Sequence, residues 1–95
     1  VKGAIKTVRL RVQGRVQGVW FRAWTVETAT SLGLDGWVRN RANGSVEALV
    51  SGAPDAVEEM IKSCWQGPPE ARITAIQTAG AEPPAKKGFH QRPTV

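Results

Sequence analysis

The sequence predicts an α+β fold in which two helices cover one face of a four- to five-stranded antiparallel sheet. Several short stretches alternate between apolar and polar residues, which is typical of strands with one buried face. Two longer stretches space their apolar residues three and four apart, as amphipathic helices do. These stretches follow one another as strand, helix, strand, strand, helix, strand. This βαββαβ order is typical of the ferredoxin-like α/β sandwich.

The first strand is predicted over residues 7–12, where aliphatic residues alternate with basic ones. Gly14 follows closely and is expected to end the strand. The first helix is predicted to run from Phe21 to Leu32, because the apolar spacing changes there to a helical period. Gly33 suits the C-terminal end of that helix. A loop rich in glycine therefore joins the first strand to the first helix.

A β-hairpin is predicted next. Its first strand covers residues 36–39 and ends at Asn40, and its second strand covers residues 45–50. Asn43-Gly44 lies between them, and this dipeptide is a strong signal for a tight hairpin turn. The second and third strands are therefore expected to pair with each other.

The second half of the chain predicts one more helix and the closing strands. Pro54 favours a helix start, because proline fits the first helical turn. A fourth strand is predicted over residues 72–78, with Ile73 and Ile76 on opposite faces. Residues 89–92 are expected to form a short fifth strand at an edge of the sheet.

The expected topology brings two distant loops together. A right-handed crossover makes the first and second strands run in the same direction, with the third strand between them. The loop that follows the first strand and Asn40 at the end of the second strand should then lie at the same edge of the sheet. We therefore expect residues 14–19 and Asn40 to share one site.

Composition restricts the class of protein. Residues 1–95 are expected to form a single domain, and a chain of this length needs no partner to bury its core, so we expect a monomer. The single cysteine, Cys64, excludes an internal disulfide and indicates a reduced, cytoplasmic protein. No apolar run reaches the ~20 residues that would span a bilayer. The net charge of +5 favours anionic partners, either phosphate-bearing small molecules or nucleic acids.

The candidate site is an anion site at the shared edge. Backbone N–H groups of a strand-to-helix loop can converge on one anion, and the helix N-terminus adds partial positive charge. Arg22 in the first helical turn can bind phosphate oxygens in a bidentate way. Asn40 cannot act as a base near neutral pH, but it can position a water molecule. The expected substrate-binding residues are Arg15, Val16, Gln17, Gly18 and Val19.

The residue types at this site restrict the reaction. No cluster of metal-ligating residues is evident, and His90, the only histidine, has no carboxylate or cysteine near it in the sequence. A site without a base or a metal suits a leaving group that departs unprotonated. A carboxylate is such a group, because its pKa is roughly that of a side-chain carboxyl. A mixed carboxylic–phosphoric anhydride therefore fits better than an alkyl phosphate.

Two signatures in the chain resemble those of acylphosphatases. The first has the form Gly-x-Val-Gln-Gly-Val-x-Phe/Tyr-Arg and is matched by Gly14, Val16, Gln17, Gly18, Val19, Phe21 and Arg22. The second is matched by Gly36, Trp37, Val38, Asn40, Gly44, Val46 and Gly52. The resemblance implies the ferredoxin-like fold and hydrolysis of acyl phosphates without a cofactor. It also implies that Arg22 binds the phosphoryl group and that Asn40 orients the attacking water.

Two other functions remain open at this point. A small nucleic-acid-binding module of the same topology would explain the basic charge. However, such modules stack bases on aromatic residues of their central strands, and residues 7–12 and 45–50 contain none, so no nucleic acid is expected. A carbamoyl-phosphate-handling domain of a larger maturation protein is the other alternative. Trp20 and Trp37 are candidates for the mouth of the site.

Overall fold

In the computed structural model, which describes residues 4–95, strands and helices follow the predicted order. The elements are β1 (Lys6–Arg15), α1 (Phe21–Ser31), β2 (Asp35–Asn40), β3 (Val46–Gly52), α2 (Pro54–Gln66), β4 (Arg72–Gly80) and β5 (Phe89–Gln91). The predicted bounds of α1 and of the hairpin strands, and the predicted start of α2, agree with these to within two residues.

The strands form one sheet in the order β4-β1-β3-β2-β5. β3 is antiparallel to both β1 and β2, so β1 and β2 run in the same direction with β3 between them, as predicted. β5 instead pairs parallel to β2, so the sheet is mixed rather than antiparallel throughout. The reason is the route of residues 81–88. They cross the end of the sheet where β2 begins, and the Gly88 carbonyl accepts a hydrogen bond from the N–H of Gly36 at 2.9 Å.

Both helices pack on the same face of the sheet. α1 contacts β2 and β5, and α2 contacts β1, β3 and β4. Every second residue of a strand faces the helices, and these residues are apolar. The alternating pattern in the sequence therefore predicted a sheet with one helix-covered face. The buried residues of the strands and helices form one core cluster, which includes Val8, Leu10, Val12, Phe21, Ala29, Val38, Val46, Ala48, Val50, Val57, Met60 and Cys64.

A bulge between β1 and β4 corrects two predictions. β1 does not end at Gly14 but continues to Arg15, which pairs with Arg72. The register of the two strands shifts just before Gly14, so β4 carries one extra residue there. This extra residue interrupts the alternation of β4. As a result, Ile73 and Ile76, which were predicted on opposite faces, both pack against the core.

Candidate active site

Residues 16–20 connect β1 to α1 at one edge of the sheet, and Gly18 and Trp20 are the exposed residues among them. Val16 and Val19 insert their side chains into the core, where they are buried. Gly18 lies between them at φ 74°, and a Cβ built there would meet no atom within 4 Å. The N–H groups of residues 16–20 donate no hydrogen bond to a backbone carbonyl of residues 4–95. The loop is therefore held by its side chains, while its N–H groups remain available for an anion.

Gln17 fastens this loop to the turn of the hairpin. Its side-chain amide Nε2 donates hydrogen bonds to the carbonyl oxygens of Arg41 at 2.8 Å and of Ser45 at 2.9 Å. Arg41 directly follows Asn40 in the chain. The position of the loop is therefore coupled to the end of β2.

The N-terminus of α1 points its polar groups toward the same place. The first N–H groups of a helix have no intrahelical acceptor, and the helix dipole places partial positive charge there. Trp20 precedes the helix in a left-handed conformation, and no side chain caps the helix start. Arg22 is the second residue of α1, is partly exposed and forms no salt bridge with a carboxylate of the described residues. A free guanidinium thus adjoins the free N–H groups.

Asn40 reaches this place from the sheet. It is the last residue of β2 and lies on the same face as Val38, which is in the core. Gln91 of β5 pairs with Val38, so strand alternation puts Gln91 on that face too. All of these elements surround a cavity of about 300 Å³ lined by Val16, Gly18, Trp20, Phe21, Arg22, Ala23, Asn40 and Gln91.

The candidate residues are therefore distributed unequally around the cavity. Arg22 and Asn40 both line it, and of the loop residues Val16 and Gly18 do so. Arg15, Gln17 and Val19 are not among the lining residues. Arg15 lies at the exposed end of β1, beside β4.

Gln91 was not among the site residues predicted from the sequence. The only signal was the order of strands, which puts β5 beside β2. Trp20 lines the cavity as expected, but Trp37 does not. The Trp37 ring lies on the opposite face of the sheet between two guanidinium groups, with Arg39 at 4.7 Å and Arg92 at 4.9 Å from its centroid.

A buried carboxylate on that opposite face anchors the residues on both sides of Asn40. Arg39 Nε and Arg41 Nη1 each donate to Glu47 Oε1 at 2.9 Å, and the Glu47 side chain is 3% exposed. Burial raises the pKa of Glu47, but the hydrogen bonds and positive charges of Arg39 and Arg41 outweigh it and hold the pKa below its ordinary value. Arg39 and Arg41 thus fix the strand end that carries Asn40.

A histidine site, a metal site and a membrane-spanning helix are three other features that residues 4–95 could contain. His90 lies on the exposed face, and its Nε2 is 2.9 Å from the carbonyl oxygen of Lys87. No group of three or more His, Cys, Asp or Glu side chains in this part of the chain is arranged to hold a metal ion. Neither helix has the length and apolar character needed to cross a membrane.

The chain is similar in sequence and in structure to acylphosphatases. A family model described as Acylphosphatase matches residues 8–91. An acylphosphatase from Rhizorhabdus wittichii is 58% identical over 92% of this chain and 88% of its own length. The structure of an acylphosphatase from Coxiella burnetii superposes with a TM-score of 0.88 and 31% identity, covering 93% of both chains. The structure of T. kodakarensis HypF has a TM-score of 0.81 and 30% identity, covering 92% of this chain but 12% of that one.

Proposed function

The chain belongs to the acylphosphatase family and hydrolyses acyl phosphates, and we propose that Arg22 and Asn40 are the residues that carry out this reaction. The observation that carries the proposal is their shared cavity. Arg22 comes from the first turn of α1 and Asn40 from the end of β2, yet both line the same space of about 300 Å³. A volume of this size lies at the lower end of small-molecule sites and fits a small acyl phosphate.

The phosphoryl group binds at the loop. The N–H groups around Gly18 and the first turn of α1 donate to the phosphoryl oxygens, and the Arg22 guanidinium binds two of them. These donors also stabilise the charge on the equatorial oxygens as the P–O bond lengthens. Because the loop is fixed through Gln17 and the buried Val16 and Val19, the donors need not reorganise during the reaction.

The Asn40 carboxamide holds the water that attacks phosphorus. Its oxygen accepts a hydrogen bond from one O–H of the water, which directs a lone pair of the water oxygen toward phosphorus, opposite the leaving carboxylate. The new O–P bond forms as the bond from phosphorus to the carboxyl oxygen breaks, giving a carboxylate and dihydrogen phosphate. Both protons of the water end on the phosphate. The carboxylate leaves unprotonated because of its low pKa, so neither a general acid nor a metal is needed.

Two further aspects belong to the same proposal. The chain acts as a monomer, since the helix-covered face of the sheet buries its apolar residues within one chain. It acts in a reducing compartment, the cytoplasm, which agrees with a buried and unpaired Cys64.

The alternative functions have weaker support. Trp37 is buried against Arg39 and Arg92, so the open face of the sheet presents no exposed Phe, Tyr or Trp ring for base stacking among the described residues. The HypF likeness covers only a small share of that protein, and at 30% its identity is well below the 58% found with the acylphosphatase relative. An acyl-phosphate hydrolase is therefore the function that we propose to test.

The test is phosphate release from benzoyl phosphate by the wild-type chain and by Arg22→Ala and Asn40→Ala. Removal of donors that act on a transition state costs about 100- to 1000-fold. We expect a fall in kcat/KM of at least that size in each variant, with unchanged circular dichroism. Arg11→Ala and Gln77→Ala are matched controls, because both residues lie away from the cavity. Near-wild-type turnover in both site variants would contradict the assignment.

Chelation tests the proposed independence from metal. Dialysis against EDTA should leave the rate unchanged, and added Mg²⁺ should not raise it. Loss of activity on chelation, restored by a divalent cation, would show that the mechanism above is wrong even if Arg22 and Asn40 prove essential. Salt-dependent binding of single-stranded RNA at physiological ionic strength would support the nucleic-acid alternative instead.

A further inference from the structure

Trp20 is an exposed aromatic residue at the rim of the cavity. Its side chain is 80% exposed, although its neighbours Val19 and Phe21 are buried. The Phe21 ring packs against Trp24 with 5.3 Å between centroids, while Trp20 forms no aromatic pair with another described residue. The indole nevertheless lines the same cavity as Arg22. Packing in the core therefore does not account for a tryptophan at this position.

The backbone of Trp20 adopts a conformation that L side chains rarely use. Its φ of 67° is the one positive value at a non-glycine position among residues 4–95. For a bulky residue this left-handed conformation is strained, and such strain is concentrated at functional sites. The conformation starts α1 and leaves the indole outside the core layer formed by Val19 and Phe21. The fold thus retains a strained backbone at the residue that presents an aromatic ring at the cavity.

The direction of the substrate follows from the position of its charged end. The phosphoryl group is held by Arg22 and the loop around Gly18, so the acyl group must extend from it toward the open side of the cavity. The residue that stands at that side with a large apolar surface is Trp20, and Ala23 of α1 adds a small apolar surface beside it. The acyl group would therefore lie against the indole.

We infer that Trp20 is a specificity-determining residue whose indole contacts the acyl group, so that the enzyme prefers acyl phosphates with flat apolar acyl groups to those with small ones. This inference rests on the proposed function of the cavity. A planar apolar group gains contact area on the indole and removes it from water, whereas an acetyl group covers little of the ring. The phosphoryl contacts are the same for both substrates, so the preference resides in the acyl end.

The experiment compares benzoyl phosphate with acetyl phosphate in the wild type, Trp20→Ala and Trp20→Gly. Loss of one aromatic contact corresponds to about a tenfold change. We expect kcat/KM for benzoyl phosphate to fall about tenfold in both variants, mainly through KM, and that for acetyl phosphate to change less than about threefold. Glycine accepts positive φ without strain, so Trp20→Gly separates the lost ring from a disturbed backbone.

Trp65→Ala is the matched control, since Trp65 is also exposed, at 52%, but lies on α2 outside the cavity. It should leave the substrate ratio unchanged. Competitive inhibition by inorganic phosphate should be the same in all variants, because the phosphoryl donors are intact. An equal loss on both substrates, or no loss on either, would overturn the role of Trp20 while leaving the hydrolase in place. If the wild type hydrolyses neither substrate, the proposed function itself fails.

Discussion

The side chain of Gln17 donates a hydrogen bond to the carbonyl oxygen of Arg41, the residue after Asn40, with 2.8 Å between Nε2 and that oxygen. The second N–H of Nε2 donates a hydrogen bond to the carbonyl oxygen of Ser45. The loop with the free N–H groups and the strand end with Asn40 come from different parts of the chain. One carboxamide joins them. Gln17 thus acts on the geometry of the site without lining the cavity.

Substitution of Gln17 by glutamate should therefore lower activity as well as stability. A carboxylate cannot donate, and its oxygens would face the carbonyl oxygens of Arg41 and Ser45. We expect the free energy of unfolding to fall by about 1–3 kcal/mol. We also expect kcat/KM to fall about 10- to 100-fold in protein that is still folded, because the loop and Asn40 lose their alignment. Urea unfolding and phosphate-release kinetics would measure the two effects.

The control for this substitution is Gln77→Glu, which makes the same change at an exposed position on β4. It should change the free energy of unfolding by no more than the ordinary effect of a surface substitution, about 0.5 kcal/mol, and leave kcat/KM unchanged. A Gln17→Glu variant with wild-type kinetics would show that the coupling between loop and turn has no role in catalysis.

Glu47 should make the stability of the protein depend on acidity. Its pKa is lower in the folded protein than in the unfolded chain, because Arg39 and Arg41 favour the carboxylate more than burial disfavours it. The folded state is therefore stabilised by this group above the unfolded pKa of roughly 4.3, and the contribution is lost as pH falls through the folded pKa. Urea unfolding of the wild type and Glu47→Gln at pH 7 and at about pH 3 would measure this contribution.

At pH 7 we expect Glu47→Gln to be less stable than the wild type by about 3 kcal/mol, since the arginines lose their buried counter-charge. The difference should shrink as the pH falls through the lowered pKa of folded Glu47, because the carboxyl group is then neutral in both the folded and the unfolded protein. Glu59→Gln is the matched control, because Glu59 is exposed on α2 and forms no salt bridge with another described residue. A difference between Glu47→Gln and the wild type that stayed constant with pH would mean that lost packing, rather than lost charge, causes it.

Most of the fold could be predicted from the sequence, because the period of the apolar residues shows which face of each element is buried. The alternation in β1 and β3, the helical spacing of apolar residues in α1 and α2 and the Asn43-Gly44 turn predicted the order and the layers. The bulge near Gly14 was not predictable, since it depends on how two strands distant in sequence pair with each other. The direction of β5 was not predictable either. A three-residue strand carries too little pattern, and its direction follows from the route of residues 81–88.

The site was predictable only in part for a similar reason. Arg22 and Asn40 occupy a helix start and a strand end, and the topology alone brings those positions to one edge. Gln17 was grouped with the substrate-binding loop, because a carboxamide is equally suited to a ligand and to two backbone carbonyls. Gln91 was missed, because its place beside Val38 depends on the parallel pairing of β5.

Gly36 should not tolerate even a methyl group. It lies in β2 at φ 141°, and a Cβ built there would be 1.8 Å from the carbonyl oxygen of Leu49 in β3. Gly36→Ala must therefore separate the two strands, and we expect a loss of at least ~3 kcal/mol in the free energy of unfolding. Gly80→Ala is the control, because a Cβ at Gly80 would meet no atom within 4 Å. Thermal unfolding of both variants would test this, and equal stability would contradict the close approach of β2 and β3.

Cys64 should report opening of the core rather than react in the folded protein. Its side chain faces the sheet from α2, and burial raises the pKa of its thiol to about 12. At pH 8 only about one folded molecule in ten thousand then has Cys64 as the reactive thiolate. Burial also keeps the reagent away from the sulfur. We expect no reaction with a disulfide reagent over minutes in buffer and complete labelling in concentrated urea.

A Cys64→Ala, Glu59→Cys variant supplies an exposed thiol on the same helix for comparison. Labelling of native Cys64 as fast as that control would contradict its burial, whereas a labelling rate that rises with urea would measure the opening of α2 from the sheet.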